Sequence, residues 1–119
     1  TGDLQGNLAR LESDLRKLRY PVAIDAAGAS HGDPAAFLPL LHYALLGYSR
    51  LVARNLNARG YELQAKSDQR FVETTVKMLR NEFGYRSALT AKNFLTKGFA
   101  ERKCLLIHDV VGLVSARHE

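Results

Sequence analysis

Tryptophan is absent from these 119 residues, cysteine and methionine occur once each, and proline occurs three times. A single cysteine, Cys104, excludes an internal disulfide framework and is what a reducing compartment permits. Set in an apolar helical run, it reads as a small buried hydrophobe. No run of about eighteen apolar residues occurs, and no charged-then-apolar start resembles a signal peptide, so no membrane partner is expected. Nowhere do apolar and polar residues alternate between turn signals as in a half-buried strand. No unit repeats at a period of about 20–50 residues, and no low-complexity tract suggests disorder.

Catalytic constellations are missing too. The four histidines, His31, His42, His108 and His118, do not pair at helical metal spacing, and no cysteine lies near His31 or His42. Zinc needs three or four converging ligands, so no metal is expected. Ser30-His31-Gly32-Asp33 holds the residue types of a serine triad. Consecutive loop residues, however, cannot form the relay of nucleophile, base and orienter. Gly28 and Gly32 are not followed by Lys-Ser or Lys-Thr, so no phosphate loop forms. Asp25 and Asp33 are separated by an unconstrained loop. Neither an enzyme nor a cofactor is expected.

What is present is apolar residue and positive charge. Hydrophobic residues make up 46% of the chain, enough for an aliphatic core. A domain of this size buries about two-thirds of its unfolded surface. One domain, residues 1–119, is expected, and a chain that starts at Thr1 reads as part of a longer protein. The net charge of +5 and a pI near 9.6 favour acidic partners, a class that includes nucleic acid, anionic lipid and the tubulin surface.

Leu4, Leu8, Leu11, Leu15 and Leu18 recur at spacings of four and three, which predicts a helix over 3–19 with Asp3 as N-cap and Pro21 blocking continuation. The stripe is too short for an independent coiled coil and is expected to pack onto the domain. Residues 22–32 have room for one helical turn. Asp33-Pro34 starts the next helix, through Phe37, Leu41 and Leu45, and Pro39 should kink it or mark a second start. Ser49 opens a shorter helix ending near Arg59 and Gly60. Ser67 or Asp68 starts another, with Phe71, Val72, Thr75, Val76, Met78, Leu79 and Phe83 on one face and Gly84 closing it. Thr90 caps a short helix carrying Phe94 and Leu95, with Gly98 beyond. The last helix, from about Phe99, is apolar around most of its circumference at Cys104, Leu105, Leu106, Ile107, Val110, Val111, Leu113 and Val114, and is expected to be enclosed by others. The fold class is all-α, a bundle of about six or seven helices with a buried C-terminal helix.

Arg70, Lys77 and Arg80 occupy the polar face of the helix that starts near Asp68, with Lys66 before it and Arg86 after. Lys92, Lys97, Arg102 and Lys103 belong to the next two helix starts. These nine form the candidate docking group. A second set, Arg50, Arg54 and Arg59, decorates the shorter helix, and Arg10 and Lys17 lie behind the leucine stripe. A single-strand nucleic-acid binder would interleave exposed aromatics with its basic residues. Here Phe71, Phe83, Phe94 and Phe99 fall on apolar faces, and only Tyr61 and Tyr85 are candidates for exposure. Nucleic acid is therefore not expected.

The order and spacing of several short segments carry a further reading. They are Thr1-Gly2-Asp3-Leu4, Tyr20-Pro21, Gly32-Asp33-Pro34 with Leu38-Pro39, Tyr48-Ser49, the Glu62-to-Phe71 run, Leu79-Arg80, Phe83-x-Tyr85, Leu89-Thr90 and Gly98-Phe99-Ala100-Glu101. Together they resemble the N-terminal, calponin-homology-like domain of the centrosomal 44 kDa protein family over nearly the whole chain. The resemblance implies a microtubule-associated domain of the cytoplasm and cytoskeleton, found at centrosome, centriole and spindle pole. Its expected partners are tubulin and microtubules, and other centriolar proteins. A module that only pairs with another centriolar protein is the alternative, and an actin-binding domain a weaker third.

Overall fold

The computed structural model describes residues 4–64 and 67–118. Among these described residues seven α-helices and one π-helical turn follow in order: α1 (Leu4–Lys17), α2 (Ala26–Ser30), α3 (Pro34–His42), the π turn (Tyr43–Gly47), α4 (Arg50–Ala58), α5 (Asp68–Phe83), α6 (Ala91–Phe94) and α7 (Ala100–His118). No strand occurs among the described residues, so the chain is all-α.

Five starts are closed by a side chain that accepts from a backbone N–H of the first turn, a cap typically worth about 1 kcal/mol. Asp25 serves Gly28, Asp33 serves Ala35, Ser49 serves Val52, Ser67 serves Arg70, and Thr90 serves Asn93. Asp3, the expected cap of α1, lies outside the described residues. Gly84 closes α5 at φ 63° and Gly60 follows α4 at φ 93°. The end of α1 departs from expectation. Arg19 takes φ 58°, Tyr20 N–H donates to Leu15 O at 2.9 Å and Arg19 N–H to Arg16 O at 3.0 Å. This pair of bonds ends the helix before Pro21 acts, with an arginine where glycine is usual.

Pro39 has no N–H to give, yet α3 continues through it and widens into the π turn, which Tyr48 N–H closes on Tyr43 O at 2.7 Å. Past Tyr48 the chain turns into α4, bent 85° from the α3 segment. No single helix among the described residues is long and apolar enough to cross a membrane.

One hydrophobic cluster joins the elements. Leu11, Leu15 and Leu18 are each 1% exposed, so the leucine stripe packs inward rather than awaiting a coiled-coil partner. It lies along α7, which also meets α3 and α4. Asp14 of α1 bonds His108 of α7, and residues early in α1 line a groove with residues early in α7, so the two helices run in the same direction. Ile107, Val110, Val111 and Val114 are buried as expected. The expectation of complete enclosure fails: Leu105 is 44% exposed, and Gly112 and Ala116 share its outward stripe. With α1, α3 and α4 on its inner side, α7 keeps one face in water.

Candidate docking surface

On α5, Arg70, Thr74, Lys77 and Asn81 recur at intervals of four, three and four, which sets them along one stripe opposite the buried Val72 and Leu79. The segment after α4 turns at Gly60 and passes alongside, and between them lies a polar concavity of about 770 Å³. Its basic lining is Arg59, Arg70 and Lys77, with Glu62 as the acidic residue and Tyr61, Gln64, Thr74 and Asn81 as neutral polar groups. Arg59 thus joins Arg70 and Lys77, although the sequence pattern assigns it to a separate set. No local signal foretells this, because the fold of residues 59–64 brings the two segments together.

Arg59 is partly neutralised, with Nε 3.2 Å from Glu82 Oε1. Glu82 also accepts from Tyr61 Oη at 3.1 Å and lies 3.7 Å from Arg117 Nη1. The Arg117 guanidinium sits 4.2 Å from the centroid of Phe83, which ties the C-terminal turn of α7 to α5. Arg70 and Lys77 are exposed and form no ion pair among the described residues. Glu73, the acidic residue on their helix face, accepts from Gln69 at 3.1 Å. The free positive charge of the concavity therefore comes from α5.

Of the eight candidate residues among the described ones, Arg70 and Lys77 line this concavity. Arg80, Arg86, Lys92 and Lys97 are exposed but outside this concavity, and Arg102 lines a different groove beside α1. Lys66 lies outside the described residues. Lys103 must be removed from the group, because it is 0% exposed. Its ammonium donates to Gly32 O at 2.6 Å and Thr96 O at 2.5 Å, and lies 5.7 Å from the Phe94 centroid and 6.0 Å from that of Phe37. Burial pulls its pKa below the usual lysine value, with Asp33 opposing. The signal was in the sequence: Lys103 stands at the head of the inward stripe Ile107, Val110, Val114, four, seven and eleven residues on.

The aromatics need one correction as well. Tyr61 and Tyr85 are partly buried, and Tyr85 Oη donates to Asp109 Oδ2 at 2.6 Å. Burial, with Asp109 adding to it, holds that phenol well above the usual range. Phe99, expected on an apolar face, is 41% exposed.

Three of the four histidines have structural partners. His42 stacks on Phe71 with centroids 3.7 Å apart, and burial lowers its pKa against the opposing charge of Asp68. His108 Nδ1 is 2.8 Å from Asp14 Oδ2, and Ser49 Oγ is 2.7 Å from His118 Nδ1. Burial pushes the Cys104 thiol up to about 11, away from the thiolate form. Among the described residues no three His, Cys, Asp or Glu side chains converge. The site offers a broad, cationic, hydrogen-bonding trough.

Comparison with known proteins gives a consistent answer. Residues 3–119 match the family described as "Centrosomal spindle body, CEP44". The chain is similar to the Centrosomal protein of 44 kDa of Xenopus tropicalis and of Bos taurus, each 44% identical over 119 residues, all of this chain and 31% of the relative. It is 41% identical to the Homo sapiens protein of that name over the same 119 residues, 30% of that relative. The chain thus spans about a third of the length of these curated relatives.

Proposed function

The chain belongs to the CEP44 centrosomal spindle body family, and from that premise we propose that it is a non-catalytic docking module that holds a centrosomal protein on microtubules. The location that follows from the family is the centrosome. The fold reading that accompanies the proposal is calponin-homology-like. The observation that carries the docking reading is the convergence of Arg59, Arg70 and Lys77 on one polar trough of about 770 Å³. A trough lined by three cations, the single carboxylate of Glu62 and neutral hydrogen-bonding groups suits an extended acidic chain better than a compact ligand. The acidic tails and outer surface of tubulin have that chemistry. Exposed contacts of this kind speed association and steer orientation, each adding modest affinity. Several copies along a lattice multiply it through effective concentration.

Co-sedimentation with microtubules across a salt series tests the proposal, with F-actin as the parallel arm. Pelleting should weaken steeply toward physiological salt, where the screening length is about 8 Å. The double variant Arg70→Glu/Lys77→Glu should lose most of its binding. Lys92→Glu/Lys97→Glu, with the same charge change away from the trough, should retain it. Equal loss in both variants reduces the effect to overall charge. Retention in both, or pelleting indifferent to salt, rejects the trough and favours pairing with another centriolar protein.

A further inference from the structure

Among the described residues Val22, Leu51, Phe99 and Leu105 are large apolar side chains that stand in solvent, and the last two share one groove. It has a volume of about 620 Å³ and lies between the N-terminal halves of the parallel helices α1 and α7. Leu4, Asn7 and Arg10 line it from one side at spacings of three, and Phe99, Arg102 and Leu105 from the other at the same spacing. The two rows, on parallel helices, wall one groove. Arg10 and Arg102 are exposed, and Arg102 holds its guanidinium 5.9 Å from the Phe99 centroid. Glu101 is the acidic residue of the lining, so two cations face one carboxylate there.

The backbone at Phe99 gives a second, independent sign. Its φ is 57°, a conformation in which a bulky aromatic is an outlier, and it follows Gly98 at φ 104°. Phe99 C=O accepts from Lys103 N–H at 2.9 Å and so starts α7, a task that glycine at position 99 performs without strain. The core gains little from this ring. Phe37, Phe71 and Phe94 are 0–1% exposed, whereas Phe99 is 41% exposed. A strained backbone that holds an aromatic outward, beside an exposed leucine and between two arginines, is the arrangement of a binding surface.

We propose that this groove is a second docking site, taking a helical segment of another protein that bears neighbouring apolar side chains flanked by Asp or Glu. A helix fits a trough between two helices through anchors three and four residues apart. Carboxylates beside those anchors pair with Arg10 and Arg102, whose planar guanidiniums favour such partners. A second copy of this chain fits poorly: a two-fold contact would set the same two arginines against their own kind. The site is separate from the tubulin trough and does not depend on it.

The test pans a random helical-peptide display library on the wild-type chain after depletion on a Phe99→Asn/Leu105→Gln variant. Asparagine tolerates the left-handed conformation, and both positions are solvent-facing, so circular dichroism and melting should match wild type. The proposal expects enriched peptides with apolar pairs at helical spacing and acidic flanks. Fluorescence anisotropy of the leading labelled peptide should show binding weakened at least tenfold by Phe99→Asn/Leu105→Gln and by Arg10→Glu/Arg102→Glu. Microtubule pelleting of the Phe99→Asn/Leu105→Gln variant should be unchanged. The proposal is overturned if no groove-dependent peptide is enriched, if the enriched peptides lack acidic flanks, or if the arginine reversals leave binding intact.

Discussion

Replacing Lys103 by methionine removes a charge that the fold has taken fully inside. The two side chains have similar length, so the aliphatic packing between Phe37 and Phe94 is largely kept. What disappears is the ammonium, and with it the hydrogen bonds to Gly32 O at 2.6 Å and Thr96 O at 2.5 Å. Hydrogen bonds from charged groups contribute about 1.5–3 kcal/mol each, so the gross loss is about 3–6 kcal/mol. Methionine is free of the cost of burying a charge, which returns part of this, and a net loss of about 3 kcal/mol is expected. For a chain of this size that lowers the melting temperature by roughly 10–15 °C. The carbonyls belong to two separate loops, before α3 and before α7, which also meet through Gly98 N–H on His31 O at 3.1 Å. The loops should loosen together. Thermal unfolding by circular dichroism reads the stability, and amide hydrogen exchange at Gly98 reads the loop junction. A methionine variant that melts with the wild type and keeps Gly98 protected would refute the idea that Lys103 ties these loops.

Gly32→Ala should destabilise by at least about 2 kcal/mol in urea unfolding, since a Cβ there would sit 2.0 Å from Gly98 O on a backbone at φ 70°. Gly84→Ala, at φ 63° with open space around it, should cost only about 1 kcal/mol, and equal losses would show that Gly32 matters for backbone angle alone. Arg19→Gly should raise stability by a few tenths to about 1 kcal/mol in the same assay, because it relieves a non-glycine left-handed residue at the end of α1. A loss there would mean that the Arg19 side chain holds something the backbone does not. The depressed pKa of His42 means that the unfolded chain takes up its proton first as pH falls below 6.5. Its contribution is therefore present above pH 6.5 and is lost as pH falls through the folded pKa. His42→Phe, which keeps the stack on Phe71, should flatten the stability–pH profile below pH 6.5 as read by urea unfolding. Identical profiles for wild type and variant would contradict this.

The sequence by itself determined the helices and most of their limits. Asp33, Ser49, Ser67 and Thr90 cap because a short oxygen-bearing side chain reaches the N–H two or three residues on, a contact that needs nothing distant. Gly84 ends α5 for a local reason of another kind, since glycine takes the left-handed φ of 63° without strain. The leucine stripe of α1 and the inward face of α5 followed from helical period alone, and so did the burial of Ile107, Val111 and Val114. Arg19 shows where the local rule stops: its left-handed turn has no composition signal, because arginine is tolerated only while Tyr20 and the core hold the chain end in place.

Tertiary structure decided which charges are surface and which are not. Arg59 meets Arg70 and Lys77 because residues 59–64 fold back along α5, and the chain distance between them hides this. Lys103 faces inward with two loop carbonyls waiting for it, and those carbonyls come from positions 71 and 7 residues away. Leu105 and Phe99 remain in water because α1, α3 and α4 cover only one side of α7. Periodicity states which residues of a helix share a face. Only the neighbours that arrive decide how much of that face is covered, and by which polar partners a charge can be received.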